Sequence, residues 1–485
     1  MVPRQNPPAD PRGRRLGARL ESLAADLELA IGSAGVVRDP EVAASYTTDW
    51  TGRYGPKRAV VARPTNAEEI ALCLDAAASH GVAVVPQGGN TGLVGGSVPN
   101  RHDTLVLSTR RCRQIGPIDE VTGQITVGAG VTLAELNSAL RGSGWRFAVD
   151  FAARDSATIG GMVATNAGGI RVFRHGSTRQ QVVGLEYVAA DGRIARHLDA
   201  MAKDNTGYDL KSLLCGSEGT LAVISAVRLR LIPEVGESVV ALCSFADLDE
   251  AIGFAWEIRQ RVPGSEAIEY LDGACADLVA MTRRVALPVR GAAMILVEAA
   301  ASVAPLDDLA AGIAAAGSRP DDVAFGIEPS QRRELWRLRD ELTIALAALG
   351  TVHKYDVSVP HDRISHVRER TEAGLARLAP RSTAWWFGHV CDDNVHLNLT
   401  GPELGVAHGA ERVDESTVAP RSLDELVFGV VVDAGGSISA EHGIGVHKVP
   451  YLHLARSATE IAHMRAIKAA FDPQSILNPG VILPG

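Results

Sequence analysis

Pro86-Gln87-Gly88-Gly89-Asn90-Thr91-Gly92-Leu93-Val94-Gly95-Gly96-Ser97 is the stretch on which the fold of this chain turns. Upstream, Ala59-Val60-Val61-Ala62 reads as a buried strand. Thr65-Asn66-Ala67-Glu68-Glu69 then supplies a capping residue followed by acids, which predicts a helix reaching about Ser79, where Gly81 stops it. Val82-Ala83-Val84-Val85 is a second strand, so a β-α-β unit runs directly into the glycine-rich segment. Glycines allow backbone N–H groups to approach a pyrophosphate closely, and Asn90, Thr91 and Ser97 add side-chain donors. The spacing is neither a dinucleotide GxGxxG opening a helix nor a GK[ST] phosphate loop. Read alone, it suits a flexible surface loop as well as a phosphate cradle.

Two further segments share its character. Asp155-Ser156-Ala157-Thr158-Ile159-Gly160-Gly161-Met162-Val163-Ala164-Thr165-Asn166-Ala167-Gly168-Gly169 gathers small residues against which a ring or phosphate could lie. Cys215-Gly216-Ser217-Glu218-Gly219-Thr220-Leu221 is a tight turn into a strand. Three such loops cost backbone entropy, and together they predict one long, dinucleotide-sized ligand.

Outward from these loops the pattern is α+β. Leu20, Leu23, Leu27 and Ile31 form one face of a helix from about Gly17 to Gly32. Strands are predicted over Thr104–Leu107, Gln124–Val127, Val182–Ala189 and Leu221–Leu231. Beyond Pro233 a second α+β region has strands at Val239–Ser244 and Met294–Glu298, and helices at Leu248–Gln260 and Arg332–Leu349. Pro402–Pro420 reads as an exposed loop, and no internal repeat is visible.

At 485 residues the chain calls for two or three domains. Its net charge of −9 disfavours nucleic acid as a partner. Cys73, Cys112, Cys215, Cys243, Cys275 and Cys391 form no CxxC pair, which fits free thiols in a reducing cytoplasm. Met1–Leu20 is rich in Arg and Pro without an apolar core, so it reads as a frayed tail and not a secretory signal. No apolar run is long enough for a membrane span.

Two histidines frame a turn. Ala384–Val390 and Val395–Leu399 read as strands around Cys391-Asp392-Asp393-Asn394. A four-residue hairpin would pair His389 with His396 on one face, with Asn398 two residues further along it. Gly435–Gly445 offers Glu441-His442 in a glycine-framed turn. Two histidines and one carboxylate leave a coordination position open, as in a catalytic metal site; satisfied structural histidines are the alternative. In the predicted helix through Trp336–Thr343, Arg339 and Thr343 lie four apart on one face; from spacing alone a solvated helix with ordinary ion pairs is the favoured reading over an anion site.

PQGGNTG, ATIGGMVATNAGG and GSEGTL, in that order, resemble the FAD-binding domain of the vanillyl-alcohol-oxidase superfamily. Within it, the chain resembles the branch of D-lactate and D-2-hydroxyglutarate dehydrogenases over roughly Tyr46 to Leu483. The resemblance implies an α+β, PCMH-type FAD-binding domain of two subdomains over 46–233, after an N-terminal tail and helix over 1–45. It implies a ferredoxin-like substrate cap over 234–455 and a return to the flavin domain over 456–485. Pro86, Gly88, Gly89, Asn90, Thr91, Gly92, Ser97, Ser156, Gly160, Gly161, Thr165, Asn166, Gly168, Glu218, Gly219 and Asn478 would line FAD. Asn90 stands where some relatives carry a flavin-linking histidine, so FAD is expected to be noncovalent.

GHxxDxNxH and SxEHGIG likewise imply His389, His396 and Glu441 as ligands of a divalent metal (zinc first, then manganese or iron), with His442 as base. Cys391 and Asp393 depart from the small residues usual there. Asp tolerates the left-handed conformation, whereas a thiolate at the site would favour softer ions. Arg339, Thr343 and Lys354, with Asn398, match substrate-binding positions and imply a dicarboxylate such as D-2-hydroxyglutarate. D-lactate or glycolate oxidation, and the nonredox alkyl transfer of the ether-lipid synthases, are the rival activities. The electron acceptor stays open between electron-transfer flavoprotein, quinone and others. A homodimer is the default assembly.

Overall fold

The computed structural model describes residues 11–199, 201, 203–300, 302–317, 319, 322–404 and 418–484. The first ten residues of the tail, and residues 405–417 of the expected loop at Pro402–Pro420, lie outside the described residues. The first helix, Pro11–Ile31, buries Leu20, Leu23 and Leu27 against the helix Ala67–Ser79. Asn66 caps that second helix, its side chain accepting from Glu69 N at 2.8 Å.

The N-terminal half, the expected flavin half, holds two sheets. In the first, strands 59–62, 104–108 and 83–87 run parallel, with 36–37 antiparallel at the edge. The second is antiparallel, ordered 115–119, 124–128, 222–230, 182–189, 194–197. The C-terminal segment returns to the first sheet. Val84 N donates to Ile476 O at 2.8 Å, and Asn478 N donates to Val84 O at 2.7 Å.

The other half is built on one antiparallel sheet of seven strands, ordered 323–326, 239–245, 293–299, 265–272, 383–388, 394–400, 353–358. By chain order the first four stand 4-1-3-2, the ferredoxin-like arrangement, with helices Leu248–Arg261 and Pro305–Ala315 as crossovers. The last three repeat the 2-3-1 part of that order, with helix Ile364–Leu378 as crossover. This half, where the cap is expected, therefore contains a topological repeat that the sequence hides, because the two units share strand order and not side chains.

Two local expectations are corrected here. The helix expected over Arg332–Leu349 is two helices, Pro329–Asp340 and Leu342–Ala347, parted at Glu341, so Arg339 and Thr343 belong to different helices. The hairpin carrying the histidines is longer than four residues. Phe387 pairs with His396, while His389 caps a short 3-10 turn, Val390–Asp392, closed by Asp393 at φ 63°. The left-handed demand falls on an aspartate, which tolerates it. No helix among the described residues is long and apolar enough to cross a membrane.

Candidate active site between the two halves

Register decides which side chains share a face. Lys354, Asn398 and Trp385 lie opposite one another, as do Asp356, His396 and Phe387 two residues on. Leu271 pairs with Phe387, which puts Glu269 on that face as well. His396 thus projects from mid-strand. His389 reaches the same place from the turn, its ring centroid 5.2 Å from that of His396. Both Nε2 atoms lie 3.8 Å from Glu441 Oε1. The two imidazoles meet as expected, but by a bent turn and not by direct pairing.

Each imidazole has a carboxylate behind it. His389 Nδ1 is 2.5 Å from Glu269 Oε1, and His396 Nδ1 is 3.5 Å from Asp356 Oδ1. Such partners orient a ring so that Nε2 faces a metal. Burial opposes charge on His389, but Glu269 and Glu441 outweigh it and raise its pKa well above the usual range. Burial lowers the pKa of His396. Glu441 stays ionised, because His389 overcomes the effect of burial.

Among the described residues, ligand-type atoms of Asp356, His396, Glu441 and His442 all lie within 4.8 Å of one another. Asp356 Oδ2, however, already accepts the N–H groups of Ala440, Glu441 and His442, at 3.2, 2.9 and 2.8 Å. That oxygen of Asp356 is thus committed to the segment carrying Glu441, while its Oδ1 is buried without a hydrogen-bond partner among the described residues. Cys391 is corrected: its Sγ points to Ala255 O at 3.5 Å within the cap core, away from the donors, and burial raises its pKa. His442 stacks on His396, with ring centroids 5.9 Å apart and planes 14° apart.

The flavin half closes the site. Gly169 N donates to Glu441 Oε2 at 2.9 Å, and a Cβ on Gly168 would stand 3.0 Å from that oxygen. The three glycine segments meet there. A Cβ on Gly89 would lie 1.9 Å from Ser156 O, and one on Gly88 would lie 2.3 Å from Thr158 Oγ1. Gly219 packs on Pro86, and Gly160 packs on Ala129. Asn478 Nδ2 donates to Gly96 O and Glu218 O at 2.7 and 2.8 Å, tying the first loop to the third. Thr165 Oγ1 donates to Gly161 O at 3.0 Å, and Asn166 Oδ1 accepts from Ser177 Oγ and Arg179 N.

Backbone N–H groups of Gly89, Asn90, Thr91 and Gly92 find no acceptor among the described residues, although this loop is half-buried. A run of such donors fits a phosphate. Asn90 has no free side chain: Nδ2 donates to Thr48 O at 2.9 Å, and Oδ1 accepts from Ser97 Oγ at 2.8 Å.

The expected substrate residues differ in their state. Arg339 Nε donates to Glu269 Oε2 at 2.8 Å, and its guanidinium lies 4.8 Å from the Phe387 ring centroid. Lys354 Nζ lies 4.9 Å from the Trp50 ring centroid. Asn398 sits on the site face, 4% exposed. Thr343 is half-buried and makes no hydrogen bond to these groups. Sequence reasoning missed Glu269 and Asp356. Asp356 could have been found by placing HKYDVS beside the VHLNL strand, which sets it opposite His396. Glu269 had no local signal.

Comparison with known proteins shows what the chain as a whole is similar to. The chain matches the FAD binding domain family over residues 58–197 and the C-terminal domain of FAD linked oxidases over 236–482. It is 35% identical to the mitochondrial D-2-hydroxyglutarate dehydrogenase of Danio rerio, covering 92% of this chain and 83% of that one. It is 36% identical to a D-2-hydroxyglutarate dehydrogenase of Xanthomonas citri pv. viticola, covering 94% and 95%. A putative mitochondrial D-lactate dehydrogenase of Schizosaccharomyces pombe is 33% identical, covering 91% and 85%. Among solved structures, 4-ethylphenol oxidase from Gulosibacter chungangensis superposes with a TM-score of 0.75 at 17% identity, covering 96% and 98%. An alkyldihydroxyacetonephosphate synthase superposes with a TM-score of 0.69 at 14% identity, covering 95% and 84%; both likenesses concern the fold alone. The chain belongs to the FAD-linked oxidases, as an FAD-dependent oxidoreductase of the D-2-hydroxyglutarate and D-lactate dehydrogenase branch.

Proposed function

We propose that this chain oxidises a D-2-hydroxy acid, best a dicarboxylate of the D-2-hydroxyglutarate type, to the 2-keto acid. The observation that carries the reading is the convergence of His389 and His396, each 3.8 Å from Glu441 Oε1, beside Gly168 and Gly169 of the flavin half. When bound, FAD supplies the hydride acceptor and a metal held by His389, His396 and Glu441 supplies a Lewis acid. The N,N,O donor set suits zinc first, with manganese or iron as substitutes. His442 takes the hydroxyl proton. Its Nδ1 faces Asp356 Oδ2 at 3.8 Å, which leaves Nε2 for the substrate. Asn398 and Lys354 extend along the sheet face from the histidines and suit the remainder of the substrate.

A metal-binding triad of this kind favours hydroxy-acid oxidation over alkyl transfer, which needs no Lewis acid at a hydroxyl. FAD is held noncovalently, since the Asn90 side chain is committed to Thr48 and Ser97; acid precipitation should release all of it. Buried free thiols agree with a reducing compartment such as the cytoplasm. The deciding experiment is an anaerobic screen of D- and L-2-hydroxy acids, reading flavin absorbance. Bleaching by D-2-hydroxyglutarate that is abolished by chelation, with flavin retained, is expected. No bleaching by any hydroxy acid, or full activity after thorough chelation, would remove the reading.

A further inference from the structure

Two buried carboxylates from opposite halves of the molecule hold the segment that carries Glu441 and His442. Asp356, on a cap strand, takes three consecutive N–H groups on Oδ2: Ala440, Glu441 and His442. Glu218, in the third glycine segment of the flavin half, takes the next pair. Its Oε1 accepts from Ile444 N and its Oε2 from Gly445 N, each at 2.8 Å. Gly443 lies between the two grips at φ +82°, and a Cβ there would stand 2.7 Å from Glu218 Oε1. Only glycine turns the chain there without displacing the carboxylate.

Buried charge of this kind needs compensation. Part of it comes from Lys448, which is 2% exposed and whose Nζ donates to Asp356 O at 3.3 Å; its charge acts on both carboxylates, beside His442 at Asp356 and against the burial that raises the Glu218 pKa. Hydrogen bonds from N–H to carboxylate are charge-assisted, and a buried N–H deprived of its acceptor is costly. The path from Ala440 to Gly445 is therefore set by five such bonds, from two carboxylates on different halves. Glu218 directs both oxygens at this segment, as a clamp would.

We propose that Glu218 and Asp356 are positioning residues that fix the Ala440–Gly445 segment, and so place Glu441 and His442 against the flavin half. For its activity readout this rests on the hydroxy-acid oxidation proposed above; a hydrogen-exchange readout needs no substrate.

The test compares FAD-loaded wild type with Glu218→Gln, which keeps the shape but turns one acceptor into a donor. Amides of Ala440, Glu441, His442, Ile444 and Gly445 should exchange slowly in the wild type. In the variant those of Ile444 and Gly445 should exchange about tenfold faster or more. Flavin content should be unchanged, while the limiting rate of flavin reduction by D-2-hydroxyglutarate falls about tenfold or more with KM within about twofold. Fast exchange at Ile444 and Gly445 in the wild type overturns the proposal, as do unaltered exchange and reduction in the variant. Loss of flavin in proportion to activity also overturns it, by making Glu218 a cofactor contact. If Glu218→Gln does not fold, Glu218→Asp makes the same comparison, because it keeps the charge and shortens the reach. If hydroxy acids fail to reduce the wild-type flavin, the proposed activity falls, and the exchange data still decide the clamp.

Discussion

Glu269 binds His389 Nδ1 at 2.5 Å with one oxygen and Arg339 Nε at 2.8 Å with the other. Its side chain is fully buried, so the Nε edge of Arg339 is held by a carboxylate of the protein. The guanidinium orients Glu269, which orients His389. Glu269→Gln should weaken the hold on His389 and lower metal affinity by about 10–100-fold, with flavin retained. Competition with a graded chelator measures this. Unchanged affinity would show that the carboxylate does not act through His389.

Lys354 has a different standing. It faces Trp50, and no acidic side chain among the described residues pairs with it. Burial, reinforced by Arg53, lowers its pKa to about 8. Lys354→Met should raise KM for D-2-hydroxyglutarate by about 10–100-fold while touching D-lactate little, as expected for a lost charge-assisted contact. The lysine is cationic below about pH 8 and loses its charge above it, so wild-type KM for the dicarboxylate should climb past that pH. In the folded state it releases its proton before the unfolded chain does, so this group makes stability rise with pH from about 8 to 10.5. Equal effects on both substrates would refute a role at the distal carboxylate.

His442→Ala removes the proposed base and leaves the donors of the metal site in place. Flavin content should stay at the wild-type level, while flavin reduction slows by about 10²–10⁴-fold. Stopped-flow absorbance under anaerobic conditions reads both. Near-normal turnover would hand the proton to another group.

Much of this site was legible in the sequence because its parts are local. The glycine segments, GHxxDxNxH and SxEHGIG each lie within a short stretch, and the structure brings them together at Gly168, Gly169 and Glu441. What could not be read is long-range. Glu269 is 120 residues from His389, and Glu218 is 226 residues from Ile444. The register of the histidine hairpin was misread because Gly388, at φ 156°, and Asp393, at φ 63°, add a turn that a four-residue loop lacks. The helix break at Glu341 carries no glycine or proline to announce it. The tie from Arg339 Nε to Glu269, 70 residues away, was equally invisible, because nothing near either residue announces the other.

Glu266 offers a separate test of how the halves hold together. Its carboxylate, 2% exposed, stands at the start of a cap strand and meets four side chains of the flavin half. These are Arg146 Nη2 at 2.8 Å, Arg174 Nε at 3.1 Å, His175 Nε2 at 3.4 Å and Arg171 Nε at 3.7 Å. Burial alone would raise its pKa, but His175 and the arginines outweigh it and hold the carboxyl down to about 2. Its stabilisation is therefore fully present above the ordinary carboxylate range, and it is lost as pH falls from about 4.5 through about 2. Glu266→Gln leaves the cations facing a neutral amide, and removing one member of a buried ion pair costs about 3–5 kcal/mol. Thermal unfolding should show a lower Tm at neutral pH. The gap between variant and wild type should narrow as pH drops toward 2, because the wild type loses the same charge. A constant gap across that range would mean that the glutamate acts through packing and not through its charge.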